Sequence, residues 1–136
     1  IQGAELIVGE DKLQVNPGRQ IPGIARHQAN LLLDWQPTGN LRLGTDLNYR
    51  SGVYLRGDEI NVLERTDGFV TVNLHGEFRC SDSLSAFARL ENVFDAGYET
   101  FGLLGEPDEV FETFEDPRFY GAGPPRGIWV GLRLKL

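Results

Sequence analysis

The 136-residue chain has 13 basic and 20 acidic side chains, and a formal net charge of −7 without any basic cluster argues against nucleic-acid binding. No stretch of about 18 apolar residues is present, which excludes a transmembrane helix but not transmembrane strands, since these need only about 9–11 alternating residues. Cys80 is the single cysteine, so no internal disulfide can form. Neither a methionine nor a signal peptide opens the sequence, and we expect a processed or partial chain.

Alternation of apolar and polar residues is the main signal along the chain, and it predicts strands in five places. These strands cover approximately residues 26–36, 41–50, 69–79, 84–94 and 127–136. Each is close to the length of a tilted strand that crosses hydrocarbon. In the second and clearest strand, Leu41 and Leu43 share one face while Arg42 lies on the other. None of the five windows has the three- and four-residue apolar spacing of a helix, so the sequence predicts an all-β chain.

The connections between these strands alternate in length. The turns at 37–40 and 80–83 are short, and both contain residue types that favour turns. Longer loops are expected at about 9–25, 51–68 and 95–126. Short turns at one end of the strands and long loops at the other are typical of outer-membrane β-barrels.

Alternation alone does not decide which face is wet, because the apolar face packs inward in a soluble β-barrel and faces lipid in a transmembrane one. Two details favour lipid. The polar parity is heavily charged, and Trp35, Phe78 and Tyr49 of the apolar parity lie near strand ends, where interfacial aromatic girdles occur. Phe69, Phe87 and Trp129 fall on the polar parity instead. Either a structure inside the barrel packs against them or a bulge shifts the register.

Several motifs occur in an order that resembles the C-terminal part of the β-barrel of TonB-dependent outer-membrane receptors. The loop at 18–23, GRQIPG, precedes a descending strand, and residues 50–52, RSG, have the pattern of an exit from an ascending strand. A strand end at 92–95, NVFD, is followed by Tyr98, and the last strand finishes on alternating apolar residues. Each motif is weak alone, and the combination in this order is the more specific signal.

The resemblance implies an antiparallel up-and-down transmembrane β-barrel in the bacterial outer membrane, of which residues 1–136 form the C-terminal segment; such receptors have about 22 strands around a plug. It also implies active import of a scarce ligand, such as a ferric siderophore. The expected partners are outer-membrane lipid, the rest of the receptor barrel with its plug domain, an inner-membrane energy-coupling protein that acts through the missing N-terminal part, and the barrel-assembly machinery. No enzymatic activity and no cofactor are expected.

Two groups of residues are candidates for roles in this function. The acidic segment 99–116 lacks EF-hand spacing, so a solvated loop is favoured over a calcium site. Loops on a rigid scaffold often carry recognition, and the aromatic residues here are the candidate ligand contacts: Phe111, Phe114, Phe119 and Tyr120. By the resemblance, the apolar parity of the last strand is an assembly signal: Ile128, Val130, Leu132, Leu134 and Leu136. The family usually ends in an aromatic residue, and this chain departs from that pattern.

The remaining polar residues indicate structural roles. Asn92 and Asp95 suit a strand end that enters a loop, because short polar side chains hydrogen-bond the backbone there. His27, His75 and Cys80 lack the spacing of zinc ligands, and we expect His75 to face the lumen. No nucleophile elbow or phosphate-binding motif occurs, so the sequence offers no catalytic or metal-binding residue.

The alternative is a small soluble β-barrel that binds a ligand through its loops. In that case the apolar parity forms the core, and Leu43, Leu47, Val72 and Leu132 are packed together. The exposure of these four side chains therefore separates a soluble binding module from a transmembrane wall.

Overall fold

The computed structural model describes residues 4–8, 11–15, 17–105 and 116–135, and the side chains from residue 17 onward within these ranges. The strands are β1 (Ala4–Val8), β2 (Asp11–Val15), β3 (Gln28–Thr38), β4 (Leu41–Arg50), β5 (Phe69–Arg79), β6 (Leu84–Glu91), β7 (Glu99–Leu104), β8 (Arg118–Ala122) and β9 (Gly127–Leu134). No helix in the described part of the chain is long and apolar enough to cross a membrane.

The strands belong to two compact units. The sheet unit comprises residues 27–50, 69–97 and 123–136. The loop unit comprises residues 1–26, 51–68 and 98–122. The long alternating strands therefore lie in the sheet unit, and the long connections between them lie in the loop unit.

The sheet unit contains a five-stranded antiparallel sheet in the order β3-β4-β5-β6-β9. Each strand pairs with the strand that precedes it along the chain within this sheet, so the topology is up-and-down. The all-β, antiparallel class predicted from alternation is confirmed. One register shift interrupts the described ladders of this sheet, between Trp35 and Thr38. The sheet is open, with β3 and β9 at its edges.

The alternating segments set where the strands lie, and local backbone geometry sets where they stop. The strand expected at 26–36 is β3, which begins and ends two residues later. The strand expected at 84–94 is β6, which ends three residues earlier, at Glu91. It stops there because Asn92 and Asp95 have positive φ angles of 47° and 52°, a region that extended strands do not use and that Asn and Asp tolerate best.

The apolar parity of the sheet is exposed rather than packed. Leu132 is 72% exposed and Leu43 is 38% exposed. Leu47 is also exposed and Val72 is only half-buried, so the four residues do not form the core that a soluble β-barrel requires. An apolar sheet face of this extent needs lipid or another apolar surface to cover it.

Phe87 and Trp129 lie on the polar face in the structure, and so does Phe69, which is opposite Arg50. The β6–β9 ladder runs from Leu84 to Glu91 without a register shift, so the explanation by a bulge is wrong for these strands. The ring of Phe87 lies over Gly131 on β9, and the ring of Trp129 lies over Gly127 on its own strand. Both rings therefore lie against glycine backbone, where no side chain obstructs them.

Two segments that were expected to be loops contain strands. β2 falls within 9–25, and β7 and β8 fall within 95–126. The sequence did not predict β7 and β8, because Gly102 and Gly121 interrupt their apolar alternation. In the structure these glycines accept aromatic rings from the opposite strand: Phe101 lies over Gly121, and Tyr120 lies beside Gly102.

The loop unit has a small core of its own. Leu55 is fully buried, and Val53 and Ala25 are nearly so. On one side of this segment, the Gly23 N–H donates to the Tyr54 carbonyl at 2.8 Å. On the other side the segment pairs with β7, since the N–H at position 56 donates to the carbonyl at position 102 at 2.9 Å. The middle connection thus joins the first segment of the chain to the β7–β8 hairpin.

Candidate functional site

Ion pairs organise the polar face of the sheet. Arg133 on β9 reaches across β6 to Glu77 on β5, with Nη1 3.3 Å from Oε1. Arg89 and Glu91, two positions apart on β6, pair at 2.9 Å. These side chains are between about a quarter and two-thirds exposed, and such pairs typically contribute at most about 1 kcal/mol of stability each. The pairs therefore determine where charge lies on the face more than they stabilise the fold.

His75 on β5 lies between two carboxylates of neighbouring strands. Its Nε2 is 3.2 Å from Asp34 Oδ1 on β3, and its Nδ1 is 3.8 Å from Asp46 Oδ2 on β4. The imidazole reaches Asp34 by crossing β4 at Gly44, where a Cβ atom would collide with the ring. Gly44 thus provides space for a contact that links three strands. The sequence placed His75 on this face but did not reveal the crossing, because it depends on the register of all three strands.

The polar face contains an open groove of about 540 Å³. Phe87 and Trp129 supply apolar surface in it, and the Arg133 guanidinium carbon lies 5.8 Å from the centre of the Phe87 ring. Arg42 also lines the groove, and its exposed side chain makes no ion pair with any residue that the structure describes. A smaller hollow of about 80 Å³ beside it is lined by Arg42 and Arg79 among other residues.

Metal-ligating residue types do not converge on this face. Across residues 17–105 and 116–135, no group of three or more His, Cys, Asp or Glu side chains is placed to hold a metal ion. The two ring nitrogens of His75 point at different carboxylates, so one ion cannot collect all three groups. Cys80 is exposed in the turn between β5 and β6.

Asn92 organises the end of β6. This buried side chain donates from Nδ2 to the carbonyls of Ala96 at 2.9 Å and Pro124 at 3.2 Å. Its Oδ1 accepts the Ala96 N–H at 3.0 Å. Asp95 completes the corner, because its carboxylate accepts the Arg126 N–H at 2.9 Å. The structural role predicted for Asn92 and Asp95 is confirmed, and the corner joins the end of β6 to the segment that leads into β9.

The loop unit contains a polar clamp that sequence reasoning missed. Asp58 is 3% exposed, and its carboxylate accepts the N–H groups of Val62 at 2.9 Å and Leu63 at 3.0 Å. Asn61, with a φ of 53°, pairs twice with Gln20: its Oδ1 accepts the Gln20 N–H at 2.7 Å, and its Nδ2 donates to the Gln20 carbonyl at 3.1 Å. The two partners lie 41 positions apart, so the sequence could not pair them. The one available signal was an Asn in a loop, since Asn tolerates positive φ angles.

The aromatic candidates for ligand contact are partly visible. Phe119 and Tyr120 are adjacent on β8, and they are 39% and 43% exposed. Phe119 lies beside Gly105 and Tyr120 beside Gly102, so one part of each ring packs within the hairpin and another part is open. The other two candidates lie outside the described residues: Phe111 and Phe114.

A charged pair precedes these two aromatics. Arg118 Nη2 lies 2.7 Å from Asp116 Oδ2, and Arg118 Nε donates to Asp116 Oδ1 at 2.8 Å. Hydrogen bonds from the Arg118 side chain and backbone lower the pKa of Asp116 to about 2. The same bond raises the pKa of Arg118 further above its usual range. The start of β8 is therefore held by an ion pair that stays charged over nearly the whole pH range.

The residues of the expected assembly signal lie on the apolar face of β9, and all of the described ones are strongly exposed. The described members are Ile128, Val130, Leu132 and Leu134. The last member, Leu136, lies outside the described residues. Their common orientation leaves a continuous apolar stripe at the edge of the sheet.

A sheet with an exposed apolar face, a charged opposite face, and short turns at one end with long connections at the other defines a wall of the outer-membrane β-barrel class. The family model described as TonB dependent receptor-like, beta-barrel matches residues 7–93, more than half of the chain, and the chain belongs to this family. It is accordingly an outer-membrane β-barrel protein. No curated protein matches the sequence.

Solved structures share the fold at low sequence identity. The siderophore receptor PiuA from Acinetobacter baumannii is similar with a TM-score of 0.75 and 13% identity, over 96% of this chain and 17% of that one. The ferric-catecholate import receptor Fiu from E. coli K12 is similar with a TM-score of 0.62 and 17% identity, over 81% of this chain and 15% of that one. The copper transporter OprC is similar with a TM-score of 0.59 and 19% identity, over 97% of this chain and 22% of that one. This chain thus spans about a fifth or less of the length of these proteins.

Proposed function

We propose that the chain is the C-terminal wall segment, residues 1–136, of a receptor that imports a scarce ligand such as a ferric siderophore across the outer membrane. An inner-membrane energy-coupling protein drives the import through a plug domain inside the barrel. The observation that carries the proposal is the two-faced sheet, which has an apolar surface suited to lipid and an ion-paired surface suited to a filled, wet interior. Membership in the family supports the transport role.

The loop unit is the proposed capture surface. Phe119 and Tyr120 each present part of an aromatic ring, and we assign ligand contact to them together with Phe111 and Phe114. Flat rings pack well on the aromatic groups of catecholate-type chelators, whereas a bare metal ion offers no surface for stacking. This chemistry favours a chelated metal over the free ion, although OprC, a copper transporter, has the same fold.

The apolar stripe of β9 is the proposed assembly signal, read by the barrel-assembly machinery as the wall is inserted. Its members would remain in contact with lipid afterwards: Ile128, Val130, Leu132, Leu134 and Leu136. Both roles need the side chains to project from the same face of a terminal strand, and the four described ones do so.

The test is an uptake assay in the organism that carries the gene. Deletion of the gene should abolish energy-dependent uptake of radiolabelled iron presented as one member of a panel of ferric siderophores, and a protonophore should have the same effect. Phe119→Ala with Tyr120→Ala should weaken uptake at limiting ligand. Phe94→Ala is the matched control, since Phe94 is a strongly exposed aromatic side chain of the sheet unit. Unchanged iron uptake in the deletion strain, or loss of copper uptake alone, would contradict the proposal.

A further inference from the structure

The β7–β8 hairpin needs support from elsewhere in the chain to hold its aromatic side chains in place. It is a two-stranded sheet with a register shift between Glu99 and Phe101. An isolated two-stranded hairpin is marginally stable at best in water, and a further strand or a packed surface is needed to stabilise it. Two of the rings proposed to contact ligand, Phe119 and Tyr120, lie on β8. Their order therefore depends on what packs against the hairpin.

The middle connection, residues 51–68, supplies this support. The Arg56 N–H donates to the Gly102 carbonyl at 2.9 Å, and the Leu104 N–H donates to the Arg56 carbonyl at 2.8 Å. The bridge that these bonds form between Arg56 and Leu103 is parallel. Leu55, next to the bridge, is fully buried. The middle connection thus adds backbone hydrogen bonds and a buried apolar side chain to the two-stranded hairpin.

Leu55 and Tyr120 meet over Gly102, which is the register partner of Tyr120. A Cβ atom at Gly102 would lie 2.8 Å from Leu55 Cγ and 3.3 Å from Tyr120 Cδ1, so both side chains lie on the same side of β7. Leu55 therefore supports one part of the Tyr120 ring, while the residue stays 43% exposed. The orientation of the ring follows the position of the middle connection.

The middle connection is held in turn by residues away from the hairpin. Thr66 and Val53 close its base, since the Thr66 N–H donates to the Val53 carbonyl at 2.9 Å and the Val53 N–H donates to Thr66 Oγ1 at 3.1 Å. Farther along, the polar clamp joins it to the first segment of the chain through the two hydrogen bonds between the Asn61 side chain and the Gln20 backbone. The Asn61 side chain therefore fixes one long connection to another.

We propose that Asn61 is a positioning residue for ligand capture. Its clamp with Gln20 fixes the middle connection, and through Leu55 this connection holds the Tyr120 ring in the orientation that meets ligand. The inference rests on the proposed function, since it takes Tyr120 as a ligand contact. A ring that is ordered before binding loses less conformational freedom when ligand arrives, so the clamp raises affinity without a contact of its own.

The first experiment is fluorine NMR of the intact receptor in lipid nanodiscs, with fluorotyrosine at position 120. Asn61→Gly removes the clamp side chain, and glycine adopts a φ of 53° without strain, so the variant isolates the hydrogen bonds. We expect the resonance of the ring to broaden or split. Leu55→Ala, which removes the support and keeps the clamp, should have the same effect. Asn40→Gly is the matched control, because Asn40 is an exposed turn residue of the sheet unit, and it should leave the resonance unchanged.

The second experiment separates positioning from a merely structural role. Uptake of radiolabelled iron, presented as the ferric complex of a tricatecholate chelator, is measured against concentration at equal receptor abundance in the outer membrane. Asn61→Gly should raise the half-saturating concentration by about three- to tenfold, the scale expected for ordering one side chain on binding, and should leave the maximal rate unchanged. A lower maximal rate with the same half-saturating concentration would overturn the inference.

The remaining outcomes keep this inference apart from the proposed function. An unchanged ring resonance in Asn61→Gly and in Leu55→Ala would overturn the inference whatever the receptor imports, because the NMR experiment needs no ligand. An unchanged half-saturating concentration would also overturn it where Phe119→Ala with Tyr120→Ala weakens uptake. A receptor whose resonance responds as expected but which imports no ferric complex contradicts the proposed function alone.

Discussion

Arginine at position 130 offers a sharp test of which face of the sheet contacts lipid. Val130 is 77% exposed and lies in the middle of β9, opposite Ala88. In water, a substitution at such an exposed position changes stability by no more than about 0.5 kcal/mol. On the lipid face of a barrel, arginine near the bilayer midplane costs about 2–4 kcal/mol. A cost of about 3 kcal/mol lowers the ratio of folded to unfolded protein by roughly 100-fold, which is well outside experimental error.

The assay is equilibrium unfolding of the purified receptor in phosphatidylcholine vesicles, followed by tryptophan fluorescence in a guanidinium series. Vesicles contain no assembly machinery, so an effect there reports lipid contact and not recognition of an assembly signal. Asn48→Arg is the control, because Asn48 lies on the polar face of β4, and it should change stability by less than about 0.5 kcal/mol. An equally small cost for Val130→Arg would refute the assignment of the apolar face to lipid.

Three further predictions concern single contacts. Gly44→Ala should cost about 1–3 kcal/mol in the same unfolding assay, because its Cβ displaces the His75 ring from Asp34, whereas Gly39→Ala, where a Cβ meets no other atom, should be nearly neutral. Asn92→Ala should cost about 2–4 kcal/mol and speed proteolysis after β6, since the buried amide bonds are lost and Ala disfavours a φ of 47°. The Asp116 carboxyl should titrate near pH 2 by carboxyl NMR, so its ion pair with Arg118 contributes fully above pH 3.8 and is lost as pH falls through about 2; titration near the ordinary value would contradict this.

The sheet could be predicted because alternation is a local signal. Along β4, a residue's parity decides its face whatever the neighbouring strands are, and so the fold class followed from single segments. The corner at Asn92 is local in part, since Ala96 lies four positions away, although Asn92 also donates to Pro124, 32 positions away. The backbone-bonding role of Asn92 could therefore be assigned from the sequence, whereas the equally local contacts of Asp58 with Val62 and Leu63 were missed.

Contacts that depend on register could not be predicted. His75 reaches Asp34 across 41 positions and only because Gly44 lies between them. The clamp between Asn61 and Gln20 also spans 41 positions. β7 could not be predicted for a related reason. A glycine such as Gly102 indicates a break in a strand, and only the structure shows that the Tyr120 ring of the opposite strand fills the space beside it.

Glycines on the polar face recur beneath aromatic and imidazole rings. This arrangement explains how the face can carry large side chains and still contain an open groove. Three rings lie over glycines there, each of which would be obstructed by a Cβ: His75 over Gly44, Phe87 over Gly131 and Trp129 over Gly127. A ring that lies against the backbone takes up less depth than one that stands perpendicular to the sheet, as side chains on strands usually do. All three rings line the open groove of the polar face. Larger residues at Gly44 or Gly131 should therefore push a ring outward and narrow this groove while they leave all charges on the face unchanged.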